Sequence, residues 1–153
     1  MKIKIALDAG HYGRTFRDGN GKGRYYDNGK VFEEHDFNAD VVEYMKELLE
    51  KNGNFEVVLL QPLRSNREVS LKERTNKARQ ENADLVFSVH ANAGVKSASG
   101  ACIFYWHTDS NAKRFAQLWA SKMSQKAIGT HGDGTHASMP NSWTNFSIES
   151  RFR

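Results

Sequence analysis

The sequence predicts an α/β fold, a single-domain sandwich in which helices flank a twisted, largely parallel or mixed sheet. Three observations predict it. Short apolar runs of strand length alternate with amphipathic stretches of helix length. The strongest turn and stop signals, Asn28-Gly29, Gly53, Pro62 and Gly129, fall between those segments. Two of the apolar runs end on a histidine, His11 and His90, and in an open α/β sheet the carboxyl ends of the strands form the edge where ligands sit.

Taken in order, residues 3–9 read as a first strand, with the charges of Lys4 and Asp8 arguing against the apolar core of a signal peptide. Residues 12–30 are rich in glycine and charge and carry Asp18-Gly19-Asn20-Gly21 and Asn28-Gly29, so a loop is expected there. A helix is expected over about 34–52. Phe37, Val41, Tyr44, Met45, Leu48 and Leu49 would form its buried stripe, and Gly53 its stop. Residues 55–60 form the second strand, closed by Pro62. Ser70-Leu71-Lys72-Glu73 is a capping box, because the serine accepts from the third amide while the glutamate reaches back; it opens a helix running to about Asn82.

Residues 84–89 and 101–106 are the third and fourth strands. A third helix over about 110–128 places Ala112, Phe115, Ala116, Trp119, Met123 and Ala127 on one stripe, with Gly129 ending it. The tail reads as a polar loop over 129–136 and a last strand over 143–148.

A chain of 153 residues has the length of one domain and buries a core without staples. With 39% hydrophobic and 26% charged residues, and no apolar stretch near the roughly 18 residues of a membrane span, it reads as neither disordered nor membrane-inserted. The net charge of +4 suits an anionic partner, whether nucleic acid, a membrane surface or acidic wall polymers, and alone decides little. Its basic residues are scattered and its aromatics do not interleave with them, which argues against nucleic acid. The single Cys102 cannot form an internal disulfide and is expected as a buried, inert thiol.

His11 and His90 at strand ends, with Glu33-Glu34 at a helix start between them, supply two imidazoles and a carboxylate. That is the ligand set of a catalytic zinc site with one position open for water. Adjacent helix residues point about 100° apart, so only one glutamate can face the site. Glu34 lies three before Phe37 and seven before Val41, on the expected buried stripe, and is preferred to Glu33. His131 and His136 lie five apart in a glycine-rich segment, a spacing nonspecific for metal, and are assigned to substrate contact; Asn92 is a further substrate candidate. His35 and His107 are expected at the surface or behind the ligands, and Arg74 is expected to pair with a carboxylate across helix and sheet. Asp8-Ala9-Gly10-His11-Tyr12-Gly13 lacks the glycine spacing and lysine of a phosphate loop.

Asp8-Ala9-Gly10-His11, Glu34-His35-Asp36-Phe37-Asn38 and Val69-Ser70-Leu71-Lys72-Glu73-Arg74, leading through Ala83-Asp84 to Ser88-Val89-His90-Ala91-Asn92-Ala93, are the segments that carry a resemblance. Over roughly its whole length the chain resembles the zinc-dependent N-acetylmuramoyl-L-alanine amidases of bacterial autolysins and phage endolysins. The resemblance implies Zn2+ as cofactor, with His11, Glu34 and His90 as its ligands. It implies peptidoglycan as substrate, cut between N-acetylmuramic acid and L-alanine, and a monomeric enzyme acting on the cell wall. Tyr25, Tyr26, Trp106 and Trp143 are candidates for stacking on sugars.

The family's catalytic glutamate lies late in the chain, at the end of a terminal strand and followed closely by a phenylalanine. Here Glu149, with Phe152 three residues on, is the candidate. The family continues with further strand and helix, so the resemblance implies an amidase catalytic domain over 1–153 shortened at its C-terminal end. The lack of a signal peptide favours phage-type release over ordinary secretion. The rival reading is a fragment of the same fold that binds zinc and peptidoglycan without turnover.

Overall fold

The computed structural model describes residues 2–92, 97, 99–142 and 144. The chain divides into two compact units, residues 1–92 and 93–153. The mixed α/β class predicted from the sequence is found.

In the first unit, β1 (Ile3–Ala9) is the centre of a parallel three-stranded sheet. It pairs with β4 (Phe55–Leu59) from Ile3 opposite Phe55 to Leu7 opposite Leu59, and with β5 (Leu85–Val89) from Ile5 opposite Leu85 to Ala9 opposite Val89. A central parallel strand is covered on both faces, which explains why Ile5 through Ala9 are all buried. Alternation sends Ile5, Leu7 and Ala9 to one side, where they join Ala39 and Val42 of helix α1 (Glu34–Asn52) and Val89 in the core. From the other face, Asp8 is met by Arg74 of helix α2 (Leu71–Gln80), which starts at the expected capping box of Ser70 and Glu73.

Helix α1 ends at Gly53, whose φ of 81° is the left-handed cap position. Its buried face differs from the expected stripe. Glu34, His35, Asn38, Ala39 and Val42 are buried, whereas Phe37, Tyr44 and Leu48 are exposed. Val41, Met45 and Leu49 pack at the edge of the core. The helix is rotated by about one residue from the apolar count because Asn38 and Ala39, which contribute little to such a count, occupy the tightest contact with β1. The segment expected as a loop contains an antiparallel pair, β2 (Gly23–Tyr25) and β3 (Val31–Glu33), joined by a turn in which Gly29 has a φ of 78°.

The second unit pairs β6 (Ala101–Trp106) in parallel with β7 (Thr130–Ser138) and carries α3 (Ser110–Gln125), capped by the Asp109 carboxylate on the Ala112 amide at 2.9 Å. The segment expected as a polar loop is thus mostly strand. Helix α3 stops earlier than the Gly129 signal suggested. Ala127 takes the left-handed position with φ 54°, and the Ile128 amide returns to the Met123 carbonyl at 3.0 Å. Ala116 and Ala120 are its buried residues, and Phe115 on the expected stripe is exposed. The last strand expected over 143–148 lies, apart from Thr144, outside the described residues. Among the described residues no helix is long and apolar enough to cross a membrane.

Candidate metal centre

The first unit brings His11, Glu34 and His90 to one point. β1 and β5 are neighbours in register, so the residues just past their ends come together, and α1 begins over the same edge. Glu34 Oε1 stands 3.1 Å from His11 Nε2 and 3.1 Å from His90 Nδ1. The two rings meet edge to face with centroids 4.9 Å apart. One ligand atom from each residue lies within 4.8 Å of the others.

Two nitrogens held tetrahedrally at ~2.0–2.1 Å from one zinc are themselves ~3.3 Å apart, so separations of this size need little adjustment to surround an ion. His11 Nε2 is buried and lacks an aligned hydrogen-bond partner, its close approach to Glu34 being off the hydrogen-bond direction. A buried nitrogen left in this way is what a metal ligand looks like before its ion is added. The donor set of two imidazoles and one carboxylate suits zinc, and the residues fit the group.

Burial pushes the Glu34 carboxyl up, but the close ring nitrogens and charge of His11 and His90 outweigh it and hold the group down at about 2. Glu34 is therefore an anion at neutral pH. Glu33, its rival in the sequence, ends β3 and pairs outward with Arg17 Nε at 2.9 Å.

The backbone that presents His11 is held by several buried side chains, of which Gln61 and Asn38 were not candidates in the sequence. His11 has a φ of 67°, costly for a residue other than glycine unless its surroundings enforce it. Gln61 donates from Nε2 to the carbonyls of Ala9 and His11, the latter at 2.8 Å. Asn38 donates to the Gly10 carbonyl at 3.1 Å. His35 is 2% exposed, with Nδ1 2.9 Å from the Gly10 carbonyl and Nε2 2.9 Å from that of Leu63. The surface alternative for His35 is thereby corrected, because the helix face that buries Glu34 also buries its neighbour. Arg74 does pair with a carboxylate, that of Asp8, which also accepts from the Ser88 hydroxyl at 2.7 Å. Gly10 is required for close approach, since a Cβ there would overlap the His90 ring.

Asn92 is exposed two residues past His90. His131 and His136, both on β7, stand side by side in the second unit. His107 is exposed. Trp106 is 6% exposed and therefore a core residue, not a sugar platform, whereas Tyr25 and Tyr26 are exposed. Cys102 is half-buried, not fully buried. Glu149 and Trp143 lie outside the described residues.

None of the curated proteins matches the sequence. Among solved structures, the catalytic domain of CwlV, an N-acetylmuramoyl-L-alanine amidase from Bacillus (Paenibacillus) polymyxa var. colistinus, is 24% identical. The match covers 97% of this chain and 73% of that one, with a TM-score of 0.71. The N-acetylmuramoyl-L-alanine amidase from Clostridium difficile 630 is 22% identical over 99% of this chain and 75% of that one, TM-score 0.73. Ami1 from Mycobacterium smegmatis is 16% identical over 88% and 72%, TM-score 0.72. At such identities these likenesses speak for the fold. The sequence model of the N-acetylmuramoyl-L-alanine amidases itself matches residues 5–147, and the chain belongs to that family.

Proposed function

We propose that this chain hydrolyses the amide bond between N-acetylmuramic acid and L-alanine in peptidoglycan, using a zinc ion held by His11, Glu34 and His90. The observation that carries the reading is the convergence of one carboxylate oxygen on two ring nitrogens at 3.1 Å each, one of which, His11 Nε2, is buried without an aligned partner. A zinc ion bound there supplies a Lewis acid that polarises a carbonyl and brings the pKa of water toward neutrality.

The chain's own groups divide the remaining work. His11 and His90 offer ring nitrogens, and Glu34 offers a carboxylate oxygen that is ionised at neutral pH. A carboxyl held at about 2 is a weak proton acceptor at neutral pH, so Glu34 is not the general base. A second carboxylate must take the proton of the attacking water and return it to the departing amide nitrogen. The sequence offers Glu149 for that role. Asn92, two residues from His90, and the polar groups of His131 and His136 are proposed to contact substrate, with exposed Tyr25 and Tyr26 available to stack on sugar rings.

Elemental analysis tests the metal. About one zinc per chain is expected in the wild type, with large loss in His11→Ala, Glu34→Ala and His90→Ala. A zymogram on purified cell walls tests the chemistry: lysis by the wild type and none by Glu149→Gln is expected. Equal lysis by both discards Glu149, and bound zinc without lysis by either discards the hydrolase in favour of a binding fragment.

A further inference from the structure

The second unit carries a cluster that the amidase reading does not use as a metal site. Cys102 on β6 and His131 and His136 on β7 each offer one ligand atom, and these atoms lie within 4.8 Å of one another. His131 Nδ1 is 3.1 Å from His136 Nε2, with ring centroids 5.3 Å apart.

The sheet explains how residues five apart in an extended segment come to share a point. Ala101 is opposite Thr130 and Ile103 is opposite Thr135, so Cys102 alone faces the four residues 131–134. The excess on β7 is a bulge. Its turns fall at Gly132, φ 62°, and Gly134, φ 83°, left-handed positions that glycine adopts without strain. Asp133 ties the bulge internally, accepting from the Thr135 amide at 2.8 Å and its hydroxyl at 3.1 Å. At the neck, a Cβ on Gly100, φ 97°, would strike the backbone of Thr130 and His131, so that glycine allows the two strands to close there. The bulge thus re-aims His131 to the side where His136 and Cys102 already lie.

We propose that Cys102, His131 and His136 form a second metal site, selective for a borderline-to-soft divalent ion such as Zn2+. A thiolate and two imidazoles favour such an ion over Mg2+ or Ca2+, which take oxygen ligands. The 3.1 Å between the two nitrogens is close to the ~3.3 Å of two nitrogens on one tetrahedral zinc. Three protein ligands leave a fourth position for water or for a donor from the substrate. Burial holds the Cys102 thiol above its ordinary range, so the metal-free thiol is protonated at neutral pH and binding releases its proton. The site is independent of the His11, Glu34 and His90 centre, which contains no sulfur.

That difference provides the test, because Cys102 is the chain's sole thiol. Titration of the full chain with Co2+ is expected to give a thiolate-to-metal charge-transfer band in the near ultraviolet. The band should persist in His11→Ala, where the first centre is disabled, disappear in Cys102→Ser, and be lost or strongly weakened in His131→Ala, a change at an exposed position. Saturating Zn2+ should slow alkylation of Cys102 by about tenfold or more, with chelator restoring the rate. A wild type that stays folded by circular dichroism yet shows no sulfur band with excess Co2+ overturns the site. So does alkylation at the same rate with and without Zn2+. In either case the pair is only a hydrogen bond between two imidazoles beside a free thiol.

Discussion

The guanidinium of Arg74 and the carboxylate of Asp8 form a buried ion pair directly behind the His11 turn. Arg74 Nη1 lies 3.4 Å from each Asp8 oxygen, the residues are 5% and 0% exposed, and Arg74 Nη2 reaches the His11 carbonyl at 3.4 Å. Arg74 Nε is itself fixed on the Val69 carbonyl at 2.7 Å. The pair therefore ties the start of α2 to the end of β1 where His11 is presented.

Removing one partner leaves a buried charge uncompensated. Arg74→Met is expected to cost ~3–5 kcal/mol in urea unfolding of the metal-free protein. Adding Asp8→Asn should recover a good part of that, because the stranded charge is gone. A double variant no more stable than Arg74→Met would show that the contribution is packing, not charge.

His90 packs its ring against Gly10, and a methyl group there occupies the space of that ring. Gly10→Ala is expected to move His90 and to lower metal affinity by about 10–100-fold, the size of effect seen when ligand orientation is disturbed. Competition with a chromophoric chelator measures it. Unchanged affinity would mean that the ring relaxes without leaving the site.

Much of this centre was legible before folding was considered. β1 and β5 announce themselves because each is a short, mostly apolar run of strand length, and each places a histidine just past its end. Glu34 was also identified, although the stripe used to place it was offset: Phe37, Tyr44 and Leu48 face outward, and small or polar Asn38 and Ala39 face the core. The supports of the His11 turn were legible only in part: His35 behind the ligands and Arg74 on a carboxylate were among the expectations, whereas Gln61 and Asn38 matter only because folding brings them to the carbonyls of Ala9, Gly10 and His11, a meeting that nothing local in the sequence signals. β7 was read as loop for a similar reason. Its composition is polar and glycine-rich, and it becomes a strand because β6 supplies the hydrogen bonds.

The end of α3 offers a stability test. Ala127 occupies the left-handed position of a cap in which the Ile128 amide bonds the Met123 carbonyl at 3.0 Å and the Ala127 amide bonds that of Ser124 at 3.0 Å. Glycine is the residue this position favours, since a Cβ crowds the adjoining carbonyl. Ala127→Gly is expected to stabilise the protein by ~0.5–1 kcal/mol, the relief of strain exceeding the extra chain entropy of glycine. Thermal unfolding decides the sign, and a lower midpoint would refute the cap.

The Glu34 carboxyl contributes to the acid response of the metal-free protein. Its pKa falls from an ordinary 4.5 to about 2 in the fold, so the folded state holds the ionised form more strongly than the unfolded chain does. That contribution is fully present above pH 4.5 and is lost as pH drops toward 2. Glu34→Gln removes the titration. In chelator-treated protein, the stability difference between wild type and Glu34→Gln should therefore shrink on acidification through this window, with a slope approaching ~1.4 kcal/mol per pH unit. A difference that stays flat between pH 5 and pH 2 would show that His11 and His90 do not lower the carboxyl, and that the three side chains stand apart when no ion joins them.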